Sequence, residues 1–161
     1  MKIASWFASS ALIALAMGCS AGDDTSDETP AQPCQGTAYA GHCYVFVTSP
    51  MSWDAARSHC HRLGSFELVT IEGEEEEEWL HGQETARMSG TWWIGYTDED
   101  SEGNWKWTSG SQSKYNRWSS RNPDNYTGGP SGRQNCVTDN YSDGRWDDDD
   151  CLRENPFICE K

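Results

Sequence analysis

The sequence predicts an α+β domain held together by disulfides, with two helices in its first half and strands and loops in its second. Three observations carry that prediction. Two helix-like stretches lie before residue 90, the texture turns to strand and loop from Thr91 onward, and six cysteines run from Cys34 to Cys159 behind an export-type leader.

Within residues 1–18 Lys2 is the only charge, and the apolar run ALIALAMG is too short to span a bilayer as a mature helix, so 1–18 reads as a signal peptide. The run ends LAMGCS, which resembles the bacterial lipobox, whose cysteine becomes the lipidated N-terminus. Ala16 stands where that motif carries leucine, so ordinary signal cleavage and secretion is the alternative. Seven cysteines are odd for an exported chain, but setting Cys19 aside for lipid leaves an even six. Residues 19–33, Cys19 followed by SAGDDTSDETPAQP, read as a lipidated, disordered acidic linker because nothing in them can enter a core. Ser20 after Cys19 suits an outer-membrane or surface lipoprotein of the cell envelope.

The chain carries 26 acidic against 12 basic residues, a formal net charge of −14. Nucleic acid and anionic lipid headgroups are poor partners for such a surface, which leaves the N-terminal lipid as the one expected membrane contact.

The remaining 34–161 segment is one domain. CYVFV at 43–47 reads as a strand, with Cys34 close enough in sequence to bridge Cys43. In SWDAARSHCHRLG, Trp53, Ala56, Cys60 and Leu63 recur at helical spacing and Gly64 is a stop signal. That helix puts Cys60 on its apolar face. A short strand, ELVTI, follows, and then Glu74 to Glu78 lead WLHGQETARM into a second helix whose acidic first turn suits the helix dipole. The glutamates read as a solvated helix start rather than a metal site. His59, His61 and His81 lack companions at zinc-ligand spacing and read as surface or packing residues.

Next come TWWIGY as a buried strand, a turn at Gly103 and Asn104, and WKW as an edge or hairpin strand. Tryptophans supply core volume that the few leucines and isoleucines cannot, and a domain this rich in loops calls for disulfides as well. Between Trp118 and Cys151, oxygen-bearing side chains crowd together: Asn122 and Asp124 around Pro123, Gln134 and Asn135 before Cys136, Asp147 and Asp148 after Trp146. Six to eight such oxygens are what Ca²⁺ requires. No Gly-x-Ser-x-Gly, His-Glu-x-x-His or cysteine–histidine nucleophile pattern is present, so the chain reads as a binding protein and not an enzyme.

WIGY at 93–96, GNWKW at 103–107, NPDN at 122–125, NCV at 135–137 and WDDDDC at 146–151, with six cysteines in the same order, resemble the C-type lectin domain over residues 34–161. The resemblance implies a C-type lectin-like fold, two helices flanking small antiparallel sheets with a long calcium-binding loop region. It also implies the bridges Cys34 with Cys43, Cys60 with Cys159 and Cys136 with Cys151. A primary Ca²⁺ would be held by Asn122, Asp124, Gln134, Asp147 and Asp148, which with Tyr126 would also bind sugar. A second Ca²⁺ would sit at Asp98, Glu102 and Asn125.

Two positions depart from the family pattern. Gln134 replaces an acid and Asp147 an asparagine, so Asp124, Asp147 and Asp148 keep three formal negatives. The affinity expected of such a site is about 10⁻⁴ to 10⁻³ M. Asn122-Pro123-Asp124 has the amide-then-acid order of galactose-binding members, and Tyr126 with Gly128, Gly129 and Gly132 resembles their aromatic followed by a glycine-rich loop. The implied partners are glycans ending in galactose or N-acetylgalactosamine. The alternative is a protein-binding or adhesion module in which calcium is structural or absent.

Overall fold

Side-chain alternation in two strands lays out the core of the computed structural model, which describes residues 33–161 except Asp143. The leader, Cys19 and the linker up to Gln32 lie outside the described residues. Strand β1 (Thr37–Tyr39), β2 (His42–Met51), helix α1 (Trp53–Arg62), β3 (Glu67–Leu68), helix α2 (Glu74–Arg87), β4 (Trp92–Thr97), β5 (Lys106–Trp107), β6 (Cys136–Asp139), β7 (Asp147–Asp149) and β8 (Asn155–Glu160) follow in that order. Along β4 and β8, Trp93, Phe157 and Cys159 pack with Trp53, Ala56 and Cys60 of α1, whereas Trp92, Ile94 and Ile158 pack with Leu80 of α2 and with Trp146. The period of two in a strand thus builds two core layers, one on each face of the sheet.

The strands form one connected sheet in the order β1-β2-β8-β4-β6-β7, with β3 added to β8 and β5 to β4. All ladders are antiparallel except the step joining β4 to β8, where Trp93 pairs with Phe157 in parallel. Expected strand limits shift for visible reasons. CYVFV extends through a register irregularity to Met51. ELVTI shortens, because Val69 gives its N–H to Ile158 O at 2.9 Å while accepting from Gly95 N at 2.8 Å, so its backbone is divided between two neighbours.

The three bridges are Cys34–Cys43, Cys60–Cys159 and Cys136–Cys151. Cys60, wholly buried on α1, reaches β8 across a sequence separation of 99 residues. Closing a loop of that length stabilises by about 4 kcal/mol in the chain-entropy account. Trp53 seals the same layer, donating its indole N–H to Ile94 O at 2.9 Å.

Helix α2 corrects the expectation of a solvated glutamate run. Glu74, Glu75 and Glu78 are exposed, but Glu77 is buried, because Glu77, Leu80 and Glu84 share one helical face that packs inward. Both Glu77 oxygens accept from Trp146 Nε1, at 3.0 and 3.1 Å. Asp139 at the end of β6 and Glu84 are also fully buried, and neither Glu84 oxygen has a hydrogen-bond partner. Burial, and then Asp139, push Glu77 up to about 9. Burial likewise raises Glu84, and it takes Asp139 to about 6. Of the histidines, His59 packs edge-on against Phe157 and His61 pairs with Glu67 at 2.9 Å, in keeping with surface and packing roles. Among the described residues no helix is long and apolar enough to cross a membrane.

Candidate functional site

The oxygen-rich loop is positioned by β7 and by Trp146 immediately before it. Trp146 takes an N–H bond from Ser119 at 2.8 Å and gives its own to Arg117 O at 2.9 Å, which brings the 117–122 segment alongside the strand. Asn122–Pro123, a cis peptide, follows directly.

The run Asp147-Asp148-Asp149-Asp150 then divides by the pleat. Asp148 and Asp150 are buried, and Asp147 and Asp149 are half-buried. Asp148 Oδ1 accepts the N–H of Asp124 at 2.8 Å and its Oδ2 that of Asn125 at 2.7 Å. Asp150 Oδ2 accepts both the N–H of Ser131, at 2.5 Å, and its hydroxyl, at 2.8 Å. Glycine is required where the loop closes on these anchors. A Cβ at Gly129 would lie 2.7 Å from that of Asp150, whereas one at Gly128 would meet only the outer edge of the exposed Tyr126 ring, which can swing aside. The Cys136–Cys151 bridge ties the two ends of the segment together.

Asp147 and Asp149 face a cleft of about 420 Å³. Of the residues expected to bind sugar, Asn122, Asp124, Tyr126, Gln134 and Asp147 line it. Asp148 does not; its side chain lies under the loop, holding Asp124 and Asn125 in place. Within the cleft the Asn122 amide meets Asp147 Oδ1, and Tyr126 N–H is shared between Gln134 Oε1 at 2.5 Å and Asp124 Oδ1 at 3.0 Å. Thr91, Tyr141, Asp149 and Arg153 also line it and were not anticipated. Asp149 had a readable signal, since it shares the strand face of Asp147. Tyr141 and Arg153 had none, because only the fold brings them there.

Electrostatics favour a cation. Burial first, and then Asp148, Asp149 and Asp124, push Asp147 up to about 7. Burial also raises Asp148 and Asp149. The donors are hard oxygens, the chemistry of Ca²⁺ and not of thiophilic or imidazole-seeking metals. Among the described residues, only Glu99, Cys136 and Cys151 bring three His, Cys, Asp or Glu ligand atoms within 4.8 Å of one another, and two of those are consumed in a disulfide. The cleft acids alone therefore do not make a compact cage; Asn122 and Gln134 add amide oxygens to the same cleft.

The second expected ion position has its own signature. Asp98 is 1% exposed; its Oδ2 accepts Gly103 N–H at 2.7 Å, while its Oδ1 is buried without a partner. Asn135 Oδ1 is another buried oxygen without a partner, and Asp98 N–H bonds to Asn135 O at 3.2 Å. Burial raises Asp98, with Glu102 and Asp148 adding to the shift. Asn125 turns its side-chain oxygen to Gln134 N at 3.2 Å. Asp98 and Glu102 thus offer oxygen donors of the kind that fit a hard cation, and Asn135, joined to Asp98 through the backbone, carries another buried oxygen without a partner.

Residues 49–161 match the family model described as "Lectin C-type domain". The chain is similar to asialoglycoprotein receptor 2 of Mus musculus, 33% identical over 138 residues that make up 84% of this chain and 44% of the receptor. It thus spans less than half of that receptor. It is also similar to lectin BRA-3 of Megabalanus rosa, 35% identical over 126 residues, 76% of this chain and 72% of the lectin. Among solved structures, the mouse scavenger receptor C-type lectin carbohydrate-recognition domain superposes with a TM-score of 0.71 at 32% identity, covering 80% of this chain and 96% of that domain.

Proposed function

The chain belongs to the C-type lectin domain family, and on that premise we propose that it binds carbohydrate through Ca²⁺, with a preference for galactose-type hydroxyls. The observation that carries the reading is the convergence of Asn122, Asp124, Gln134 and Asp147 on one cleft with the exposed ring of Tyr126 at its rim. Bound among these oxygens, Ca²⁺ would supply coordination positions for two vicinal sugar hydroxyls. The chain's own groups do the rest. Asp124 and Asp147 accept the hydroxyl protons, and the amides of Asn122 and Gln134 donate to the hydroxyl oxygens, so each hydroxyl is satisfied in both senses.

The order of amide and acid around Pro123 selects which hydroxyl pair fits. Asn122 is one methylene shorter than the glutamine of the family's galactose arrangement, about 1.5 Å less reach towards metal and sugar. Tyr126 offers a ring face to the apolar side of galactose. One relative is by its name a receptor for asialoglycoproteins and another a lectin, which supports a glycan ligand. Asp98, Glu102 and Asn125 would hold a second ion that orders the loop, with Asn135 Oδ1 as a further oxygen donor. The domain acts by binding and not by turnover, displayed outside the cell on the 19–33 tether, with Cys19 as its lipid anchor.

A glycan array probed in millimolar Ca²⁺ tests this. Galactose- and N-acetylgalactosamine-terminated glycans should retain the protein and chelator should strip it. Binding that persists in chelator would instead support a protein-interaction module with structural or no calcium.

A further inference from the structure

The cleft extends beyond the residues that the sugar mechanism uses. At about 420 Å³ it lies within the range of pockets that enclose drug-sized ligands, more than one pyranose ring requires. Thr91, Tyr141 and Arg153 also line it, and the cation-and-sugar mechanism uses none of them. Tyr126 and Tyr141 are 62% and 54% exposed, so two of the few large apolar side chains open to solvent flank this one cleft.

Tyr141 is held in place and not merely exposed. Its N–H bonds to Arg145 O at 2.9 Å, closing a turn, and the preceding Asn140 donates its side-chain amide to Gly90 O at 3.1 Å, beside Thr91. A ring with two side-chain torsions on a pinned backbone contacts a ligand at low entropic cost. Arg153 is anchored by its Nε to Asp149 Oδ1 at 2.9 Å. That pairing uses Nε and directs the charge of the guanidinium to Asp149.

Resting on the lectin reading, we propose that Tyr141, with Thr91 and Arg153, forms a second subsite that takes the penultimate sugar of an oligosaccharide whose terminal residue occupies the cation site. The ring packs on the apolar face of that sugar, and Arg153 and Thr91 meet its hydroxyls. The sugar is a neutral hexose or N-acetylhexosamine, because the one cation here is already paired and Asp124, Asp147 and Asp149 share the cleft.

Calorimetry of the protein in millimolar Ca²⁺ would compare methyl galactoside and methyl mannoside with neutral disaccharides ending in each. At least one disaccharide should bind about fivefold tighter than its own terminal methyl glycoside, a gain on the scale of one aromatic contact. Tyr141→Ala should erase that gain while leaving the methyl glycoside affinity unchanged, and Tyr141→Trp should keep it. A ratio that survives Tyr141→Ala, or no disaccharide gain in the parent, overturns the subsite. Preference for methyl mannoside would overturn the galactose reading alone, since the ratio still reports the subsite. Binding of no sugar would overturn both.

Discussion

The carboxylate of Asp148 accepts the backbone N–H of Asp124 at 2.8 Å, across 24 residues of sequence. Its other oxygen takes the N–H of Asn125 at 2.7 Å. Asp148 therefore fixes the same loop residue whose side chain enters the cleft. Asp148→Ala should abolish both Ca²⁺ and sugar binding, and should cost about 0.5–1.5 kcal/mol for each of the two hydrogen bonds lost. Calorimetry and thermal melts check this; sugar binding retained by the variant would contradict it.

The order of groups around Pro123 predicts a specificity change. Asn122→Glu combined with Asp124→Asn reverses amide and acid and should move preference from galactose towards mannose. Competition by the two free sugars for the same immobilised glycan measures the change. An unaltered order of competitors would show that the tripeptide does not select the hydroxyl pair.

The buried carboxyls behind the site predict an unusual dependence of stability on pH. Burial raises Asp139 to about 6, and burial with Asp139 beside it raises Glu77 to about 9, above their ordinary values. Folding thus favours the protonated forms, so their stabilisation is complete in acid and is lost as pH rises through 6 and then 9. Each proton contributes a slope of up to about 1.4 kcal/mol per pH unit inside its window. In chelator, which removes any linkage to Ca²⁺, the Tm should fall between pH 5 and pH 9. Glu77→Gln with Asp139→Asn should flatten the profile. A Tm that rises over this range would contradict the assignment.

Glu84 offers a sharper test of the same cluster. It is wholly buried on α2, both oxygens lack partners, and the carboxyls of Asp139 and Glu77 beside it further disfavour its charge. Glu84→Leu, of similar size and without the polar burden, should stabilise the domain by about 1–3 kcal/mol at neutral pH. Denaturant midpoints measure the gain; a loss would mean that Glu84 has a polar role in the fold.

Much of this arrangement is legible in residues whose period matches their element. Trp53, Ala56 and Cys60 mark α1 through spacing alone, and TWWIGY marks the buried strand. The loop residues Asn122, Asp124, Gln134 and Asp147 are legible through resemblance, and they do meet in one cleft. Glu77 and Glu84 are not, because acidic composition points to solvent while helical phase, counted from Leu80, turns them inward. Asp148 separates from Asp147 for the analogous reason in a strand: four aspartates in a row look equivalent until the pleat sends alternate ones to opposite faces. Tyr141 and Arg153 carry no local pattern at all, since a turn and a chain reversal deliver them to the cleft.

The central claim, that Ca²⁺ joins Asn122, Asp124, Gln134 and Asp147 to a galactose-type sugar, is tested most directly on a galactose column in millimolar Ca²⁺. The protein should be retained, and should elute both with chelator and, separately, with free galactose. Flow-through in Ca²⁺, or retention that chelator does not release, would contradict it.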